Sequence, residues 1–554
     1  MAKSKSRLRC CVCVFALCFI AIIILLFIFL LRSPTCAEGQ YSRGAVAADS
    51  QICSLFGRDI LKEGGSAVDG AIAALLCTSL INPQSMGIGG GAIFTVFEKT
   101  GKVKVINARE TVPNIFQADL MKDCPMGSPL ITGSKWIAVP GEIRGYEKAH
   151  KMYGKLPWKR LFEPTIKLAR DGFKVPQILS RYLQFPMIKG KVEGSSLCAL
   201  FCDENNKTLK EGDTLRYEKL ADTLEAIANS GPDAFYKGKL ADDLITDVQN
   251  EGGTLSTADL ESMQAEVSDA WTVQLGTYTM YLPQPPAGGT ILSIILNIMK
   301  GYNLNPSSLE GDNKFLTYHR YIEALKFANG QKRKVWDPAV AERLIKDDFA
   351  AYVRSLISSN QTHPRQYYNV SISRDGVGTT HISVLAEDGT AVSVTSTINQ
   401  LFGSMVYSPS TGVILNNELA DFCGLVDSIS TGEKPPSSMT PVVLYSKSEK
   451  KTLVIGGSGG FMITSSVAMA IMNHLWFGKD LKEAISAKVV TVNSTNGVNF
   501  EHMFDQTVID KMKDMGHGVG TMKYALNVVN GIFKQDSCIT AVSDARKNGE
   551  AAGY

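Results

Sequence analysis

Apolar side chains recur along this chain with two periods. Val68, Ile72, Leu75, Leu76 and Leu80 fall on one face of a 3.6-residue helix within Ser66–Leu80, and helical spacing returns over Ile291–Lys300, Phe315–Ala328 and Met462–Trp476. Short β-branched runs ending in glycine or charged turns predict strands at Ala92–Phe97, His381–Leu385, Ala391–Thr395 and Leu453–Ile455. Helices and strands alternate without an internal repeat, a low-complexity tract or a long flexible linker. The pattern therefore predicts one continuous layered α/β (α+β) fold with helices covering sheets. The segment most like a linker, Asp427–Pro441, holds Pro435, Pro436 and Pro441. Proline fixes its own φ and restricts the preceding residue, which predicts an extended, surface-reaching loop suited to ligand contacts. Glu387-Asp388-Gly389-Thr390 is a hairpin turn, and its length sets the facing pairs. A two-residue turn pairs Thr379 with Ile398, whereas a three-residue loop puts Thr397 opposite Thr379.

Composition narrows the class. The 554 residues are 45% hydrophobic and 20% charged with a net charge of +3, which excludes a disordered chain and a basic nucleic-acid binder. The positive balance is local. Lys3, Lys5, Arg7 and Arg9 precede an unbroken apolar run from Cys10 to Leu31, Arg32 follows it, and the remainder sums to about −2. A run of this length spans a bilayer core of about 30 Å and exceeds the apolar region of a cleaved signal. The expectation is a cytosolic tail (residues 1–9), a transmembrane anchor (10–31) and an extracellular remainder, that is, a single-pass type II protein of the plasma membrane. A signal cleaved near Cys36-Ala37 is the alternative. Four of the twelve cysteines lie in the anchor; among the rest, Cys53/Cys77 and Cys198/Cys202 are pairing candidates, and an oxidising exterior favours disulfides over zinc. Asn206, Asn360, Asn369 and Asn493 head glycosylation sequons.

Glycine-rich motifs supply the candidate chemistry. Gly87-Ile-Gly89-Gly90-Gly91-Ala92 has the spacing of a dinucleotide fingerprint, but a helix precedes it and a strand follows, the reverse of what that site requires. Gly456-Gly457-Ser458-Gly459-Gly460 sits between a strand and a helix, the context of a serine nucleophile elbow, with Asp505 or Asp510 and His517 available downstream. The same glycines also form a nest of backbone N–H groups suited to an oxyanion. The third candidate is Thr379, which the hairpin brings to within a residue or two of Thr397 and Asn399.

Several motifs, in order, resemble the gamma-glutamyl transpeptidase family: Asn107-Ala-Arg109-Glu110, Asp375-Gly-Val-Gly-Thr379-Thr-His-Ile-Ser-Val, Thr395-Ser-Thr397-Ile-Asn399, Asn416-Asn-Glu418-Leu-Ala-Asp421, Pro436-Ser437-Ser438-Met439, Gly457-Ser-Gly459-Gly460 and Gly-Glu-Ala-Ala-Gly-Tyr554. The likeness runs from about Ala45 to Tyr554. Cys77-Thr-Ser-Leu-Ile-Asn-Pro-Gln-Ser-Met-Gly and Pro285-Pro-Ala-Gly-Gly289 are closer to the leukotriene-C4-hydrolysing branch than to the general glutathione-degrading one. The resemblance implies an N-terminal-nucleophile hydrolase with an αββα sandwich, made as a precursor that cuts itself between Gly378 and Thr379. The products are a large subunit (32–378) and a small catalytic one (379–554) that stay together as a heterodimer. It implies Thr379 as nucleophile with its own α-amine as base, Thr397 orienting it, and Gly459 and Gly460 as oxyanion donors. Arg109, Ser437 and Ser438 then take the substrate α-carboxylate, and Glu418, Asp421 and Asn399 the ammonium. No metal or cofactor is implied. The implied donors are glutathione and its conjugates, including leukotriene C4, with water, an amino acid or a dipeptide as acceptor and no nucleic-acid partner. The disulfides implied are Cys53–Cys77 and Cys198–Cys202; Cys36, Cys124, Cys423 and Cys538 have no assigned partners. Two departures stand out: a shorter loop between Asp421 and Ser437, and Val377 in place of a glycine before the cut. A serine hydrolase using Ser458 and a catalytically silent surface glycoprotein of the same fold are the competing readings.

Overall fold

The computed structural model describes residues 36–125, 130–371, 378–522 and 528–554. The predicted tail and anchor, and Val377, lie outside these residues. Among the described residues no helix is long and apolar enough to cross a membrane.

Two sheets, antiparallel throughout, lie face to face. The first has the spatial order Ala552–Gly553, Ala45–Ala47, Thr380–Leu385, Ala391–Thr397, Gly91–Phe97, Val103–Ala108, Glu266–Asp269. The second runs Cys538–Val542, Val528–Gln535, Lys451–Ser458, Val442–Ser446, Tyr278–Leu282, Trp271–Leu275. Three apolar clusters correspond to the three interfaces of this stack. Ala45, Leu385, Val443, Val454 and Ile532 fill the space between the sheets. Val384, Val394 and Phe94 pack with Ile72 and Leu76 under the helices of the first sheet, and Leu444 and Ile455 pack with Leu292 and Ile471 under those of the second. The architecture is an αββα sandwich. Because both faces of a central strand are covered, Gly91–Phe97, Thr380–Leu385 and Ala391–Thr397 are buried at every position.

The sequence-predicted elements are present with ends shifted by a few residues: helices Ala67–Ile81, Gly289–Lys300, Gly311–Asn329 and Ile463–Leu475, and strands Gly91–Phe97, Thr380–Leu385, Ala391–Thr397 and Lys451–Ser458. Ser66 caps the first helix through a reciprocal capping box with Asp69. One expectation changes there. The apolar stripe of Ala67–Ile81 is not a single buried face, because every residue of the helix is buried. Gln51–Lys62 and Trp158–Asp171 pack against it from outside the sheet, which is how an all-round apolar helix is accommodated.

Among the described residues four disulfides are formed: the expected Cys53–Cys77 and Cys198–Cys202, and two more, Cys36–Cys538 and Cys124–Cys423. Asn206, Asn360 and Asn369 are exposed, while Asn493 is half-buried, its Oδ1 accepting from Thr495 and Gly497.

A buried acid ties an outer helix to the central sheet. Glu142, the first residue of helix Glu142–Tyr153, accepts from the Tyr146 hydroxyl at 2.6 Å and from Ser396 Oγ at 2.9 Å. Burial pushes its carboxyl up to about 8, from an ordinary value of 4.5. Below pH 4.5 the carboxyl is protonated in both states and its stabilising contribution is complete; as pH rises to about 8 only the unfolded chain ionises, and that contribution is lost. The slope is about 1.4 kcal/mol per pH unit. Glu142→Gln removes it. Urea titrations at pH 5 and 8 should show the variant gaining stability relative to the wild type with rising pH; a constant difference would contradict the assignment.

Candidate active site

The hairpin settles the facing pair. Leu385 pairs with Ala391 and Thr380 with Ser396, and the Ala386 N–H donates to the Thr390 carbonyl, so the loop has three residues and Thr379 faces Thr397. Thr379 Oγ1 donates to Thr397 Oγ1 at 3.2 Å, and Thr397 Oγ1 also accepts from the Asn399 N–H at 2.8 Å. Thr379 is buried, with φ +81°, a left-handed backbone that a β-branched residue rarely adopts. Such a conformation costs on the order of 1–3 kcal/mol and persists only where surrounding contacts impose it. Those contacts are visible. The Thr379 N–H donates to the Ser85 carbonyl at 3.1 Å, and the Gly378 carbonyl accepts from the Gly459 N–H at 3.0 Å. Only glycine fits at 378, since an added Cβ would lie 2.0 Å from the Asn399 carbonyl oxygen. Gly459, with φ +114°, makes the turn between strand Lys451–Ser458 and the short 3₁₀ turn that starts helix Ile463–Leu475. The glycine nest expected from sequence thus presents an N–H to the carbonyl preceding the threonine.

Beside this carbonyl is a cavity whose lining includes Thr379, Thr397, Asn399, Asp421, Ser437 and Ser438, with Arg109 and Gly460. Arg109 is fully buried and crowded by acids: its guanidinium lies 2.6 Å from Glu418, 2.6 Å from Asp421 and 3.4 Å from Glu110, and donates to the carbonyls of Pro435 and Pro436. Burial raises Glu110 to about 7 and Glu418 well above the usual carboxylate range, and raises Asp421 too, each against the pull of Arg109. Burial opposes the charge of Arg109, but its three acidic neighbours outweigh it and hold the guanidinium protonated. Glu418 and Asp421 lie on the 3₁₀ helix Glu418–Phe422, where a spacing of three brings side chains into line. Glu418 pairs with Arg109 and is not itself among the residues that line this cavity. The loop before Ser437 also departs from expectation. Pro435 and Pro436 are buried rather than surface-reaching, because their carbonyls satisfy Arg109.

The competing elbow is not assembled. Ser458 is buried, and its Oγ accepts from Lys547 Nζ at 2.8 Å. His517 is elsewhere, joined to His319 at 2.9 Å and to Lys326 at 2.8 Å, and burial with Lys326 nearby pulls its imidazole down to about 2. Asp505 pairs with Lys314, and Asp510 with Lys513. His319, Glu323 and His517 are close enough to suggest a cation site, but both imidazoles are already engaged on both nitrogens and Lys326 contributes a neighbouring ammonium.

Two buried neighbours of Thr379 escaped the sequence reading. Lys547 Nζ donates to the Thr379 carbonyl, to Asp49 and to Ser458, each at 2.8 Å, and Asp49 accepts from Thr380 Oγ1 at 2.6 Å. In sequence Lys547 sits in the polar run Arg546-Lys-Asn-Gly-Glu550, indistinguishable from a solvated lysine, and Asp49 is far upstream. Its place just before the terminal motif was the one available signal.

The model of the Gamma-glutamyltranspeptidase family matches residues 53–554. The chain belongs to the gamma-glutamyltranspeptidase family. Among proteins similar to this gamma-glutamyltranspeptidase, the rat glutathione hydrolase 5 proenzyme is 45% identical over 539 residues, covering 94% of each chain. Scoloptoxin SSD14 from Scolopendra dehaani is 36% identical over 540 residues, covering 93% of each. Of solved structures, the cephalosporin acylase from Bacillus halodurans aligns with a TM-score of 0.83 at 25% identity, covering 95% of this chain and 98% of its own. The gamma-glutamyltranspeptidase from Pseudomonas nitroreducens complexed with L-DON aligns with a TM-score of 0.53 at 27% identity, covering 60% of this chain and 98% of its own.

The close approach at residue 378 is testable. Gly378→Ala should leave the precursor uncut in a time course on reducing denaturing gels while the folded chain still accumulates; cleavage at the wild-type rate would show that the contact with Asn399 does not constrain the backbone.

Proposed function

We propose that this chain is a self-processing γ-glutamyl hydrolase and transferase whose nucleophile is the threonine freed by cutting Gly378–Thr379. The observation that carries the reading is the pairing of a strained Thr379, its hydroxyl on Thr397, with a preceding carbonyl held by the Gly459 N–H. In processing, Thr379 Oγ1 attacks the Gly378 carbonyl carbon, the oxyanion forms against Gly459, and the C–N bond breaks as the amine takes the proton. Water then hydrolyses the ester, leaving the Gly378 carboxylate and a free Thr379 α-amine. Release of the left-handed backbone favours the forward direction.

The same groups then serve turnover. The freed amine, with an ordinary value near 7.7–8.0, takes the proton of its own hydroxyl as that oxygen attacks the γ-carbonyl of the donor. Gly459 and Gly460 face the developing oxyanion. The donor head is a zwitterion, and it exchanges for the Arg109–Asp421 contact: carboxylate to Arg109 with the Ser437 and Ser438 hydroxyls, ammonium to Asp421 and Asn399. Glu418, 2.6 Å from Arg109, joins Asp421 and Asn399 in holding the ammonium. The amide nitrogen leaves with the proton held by the amine, and water or an amino acid or dipeptide amine accepts the γ-glutamyl group from the threonine ester. Glutathione and glutathione conjugates are the donors, leukotriene C4 giving leukotriene D4. The apolar run at residues 10–31 is the anchor of a type II plasma-membrane protein with this catalytic part outside the cell, in keeping with its disulfides.

Thr379→Ala should abolish both cleavage and turnover, and Thr379→Ser should keep both at reduced rates, whereas Ser458→Ala should retain glutathione hydrolysis; turnover by an uncut Thr379→Ala chain would overturn the reading. Asp421→Asn should raise KM for a γ-glutamyl donor about tenfold or more, equivalent to about 1.4 kcal/mol, yet leave self-cleavage intact because the precursor carries no ammonium there. Steady-state kinetics beside a cleavage time course separates the two effects.

A further inference from the structure

Two of the four disulfides straddle the proposed cut. Cys36 joins Cys538 and Cys124 joins Cys423, with Cα atoms 5.5 Å and 5.7 Å apart, whereas Cys53–Cys77 and Cys198–Cys202 lie wholly upstream of Gly378. The placement of the crossing pairs is specific. Cys423 caps the 3₁₀ helix that carries Glu418 and Asp421, is itself buried, and lies two residues beyond Asp421. Around it Leu419, Ala420 and Phe422 pack with Val112, Leu120, Ile131 and Trp136, an apolar cluster separate from the main cores. The upstream part of the chain therefore grips this helix by packing and by a covalent bond. At the other end, Cys36 begins the described chain beside the edge strand Cys538–Val542. There Tyr41 bridges Ile539 through paired backbone hydrogen bonds, and Gln40 Nε2 donates to Thr540 Oγ1 at 3.0 Å.

We propose that the processed protein is one covalently linked two-chain molecule, and that Cys124–Cys423 is a positioning pair that holds Asp421 against Arg109 in the head-group site. This rests on the self-processing reading above. Without the staple, the short 3₁₀ helix is held by its apolar cluster and by a partly buried ion pair that the incoming zwitterion must itself open. The staple keeps Asp421 in place at the moment when that pair is broken. Cys36–Cys538 has a different part, tying the downstream chain directly to the segment that leads out of the predicted membrane span.

The test begins with the mature wild-type protein, its free thiols alkylated before denaturation, run on gels with and without dithiothreitol. With reductant, two chains are expected, the smaller spanning residues 379–554; without it, a single species of the combined mass. An uncut chain in the reduced lane overturns the self-processing reading, whereas two free chains in the unreduced lane overturn the cross-links alone. Cys36→Ser/Cys538→Ser and Cys124→Ser/Cys423→Ser should each remain joined by the other pair, and the fourfold variant should separate. For the positioning role, Cys124→Ser/Cys423→Ser should raise KM for a γ-glutamyl donor about tenfold with kcat within about twofold, and Cys36→Ser/Cys538→Ser should change neither. Should the former pair of substitutions prevent folding, dithiothreitol treatment of the folded Cys36→Ser/Cys538→Ser protein must produce the same rise in KM. An unchanged KM, or a fall in kcat alone, overturns the role.

Discussion

The contact between the Gly459 N–H and the Gly378 carbonyl joins the two halves of the sandwich at one atom. Gly459 ends a strand of one sheet and Gly378 leads into a strand of the other, so the 3.0 Å hydrogen bond exists only because the sheets are clamped face to face. The apolar layer of Ala45, Leu385, Val443, Val454 and Ile532 sets that spacing. Thr379 is then caught between fixed points: its N–H on Ser85, its hydroxyl on Thr397, its carbonyl on Lys547 and the preceding carbonyl on Gly459. A positive φ at a threonine is the residue of that over-determination. Core packing is in this sense part of the proposed chemistry, since it holds the Gly378 carbonyl beside a hydroxyl and a donor before any substrate arrives.

The proposed head-group site is built on a charge imbalance. Two buried carboxylates and the partly exposed one of Asp421 surround one guanidinium, and burial keeps Glu110 and Glu418 protonated more readily than ordinary glutamates. A zwitterion suits such a site because it exchanges one ion pair for two without adding net charge. The cost of exposing Arg109 is never incurred, as the incoming carboxylate replaces the outgoing one. Attached to this cluster by two residues of backbone, Cys423 connects recognition to the covalent framework of the molecule.

Local pattern carried most of the architecture. The helical spacing over Ser66–Leu80, the β-branched runs and the Asp388-Gly389 turn are short-range signals, and the elements they mark are present. The hairpin length was open, because turn residues alone permit more than one register and strands buried on both faces carry no alternation to choose between them; the pairing of Leu385 with Ala391 shows which one forms. The candidate residues from Arg109 to Gly460 were legible through motif resemblance, and their chemistry explains why those residue types stand there. Legibility failed where a role depends on tertiary partners. Lys547 and Asp49 are nearly five hundred residues apart, and nothing in either neighbourhood announces a buried ion pair. Cys124 and Cys423 failed for the same reason, and the buried prolines at 435 and 436 do so because an arginine from a distant strand end consumes their carbonyls. Ser458 is the opposite case: a locally persuasive strand, turn and helix whose acid and histidine are occupied elsewhere.

The account depends on one bond being cut by its own neighbour. The most direct measurement is the N-terminal sequence and intact mass of the smaller chain after the purified wild-type precursor is incubated alone and reduced. The account predicts a fragment that begins Thr379-Thr-His-Ile and ends at Tyr554, with its appearance independent of protein concentration. A fragment beginning at Thr380, or a chain that stays whole, would contradict it.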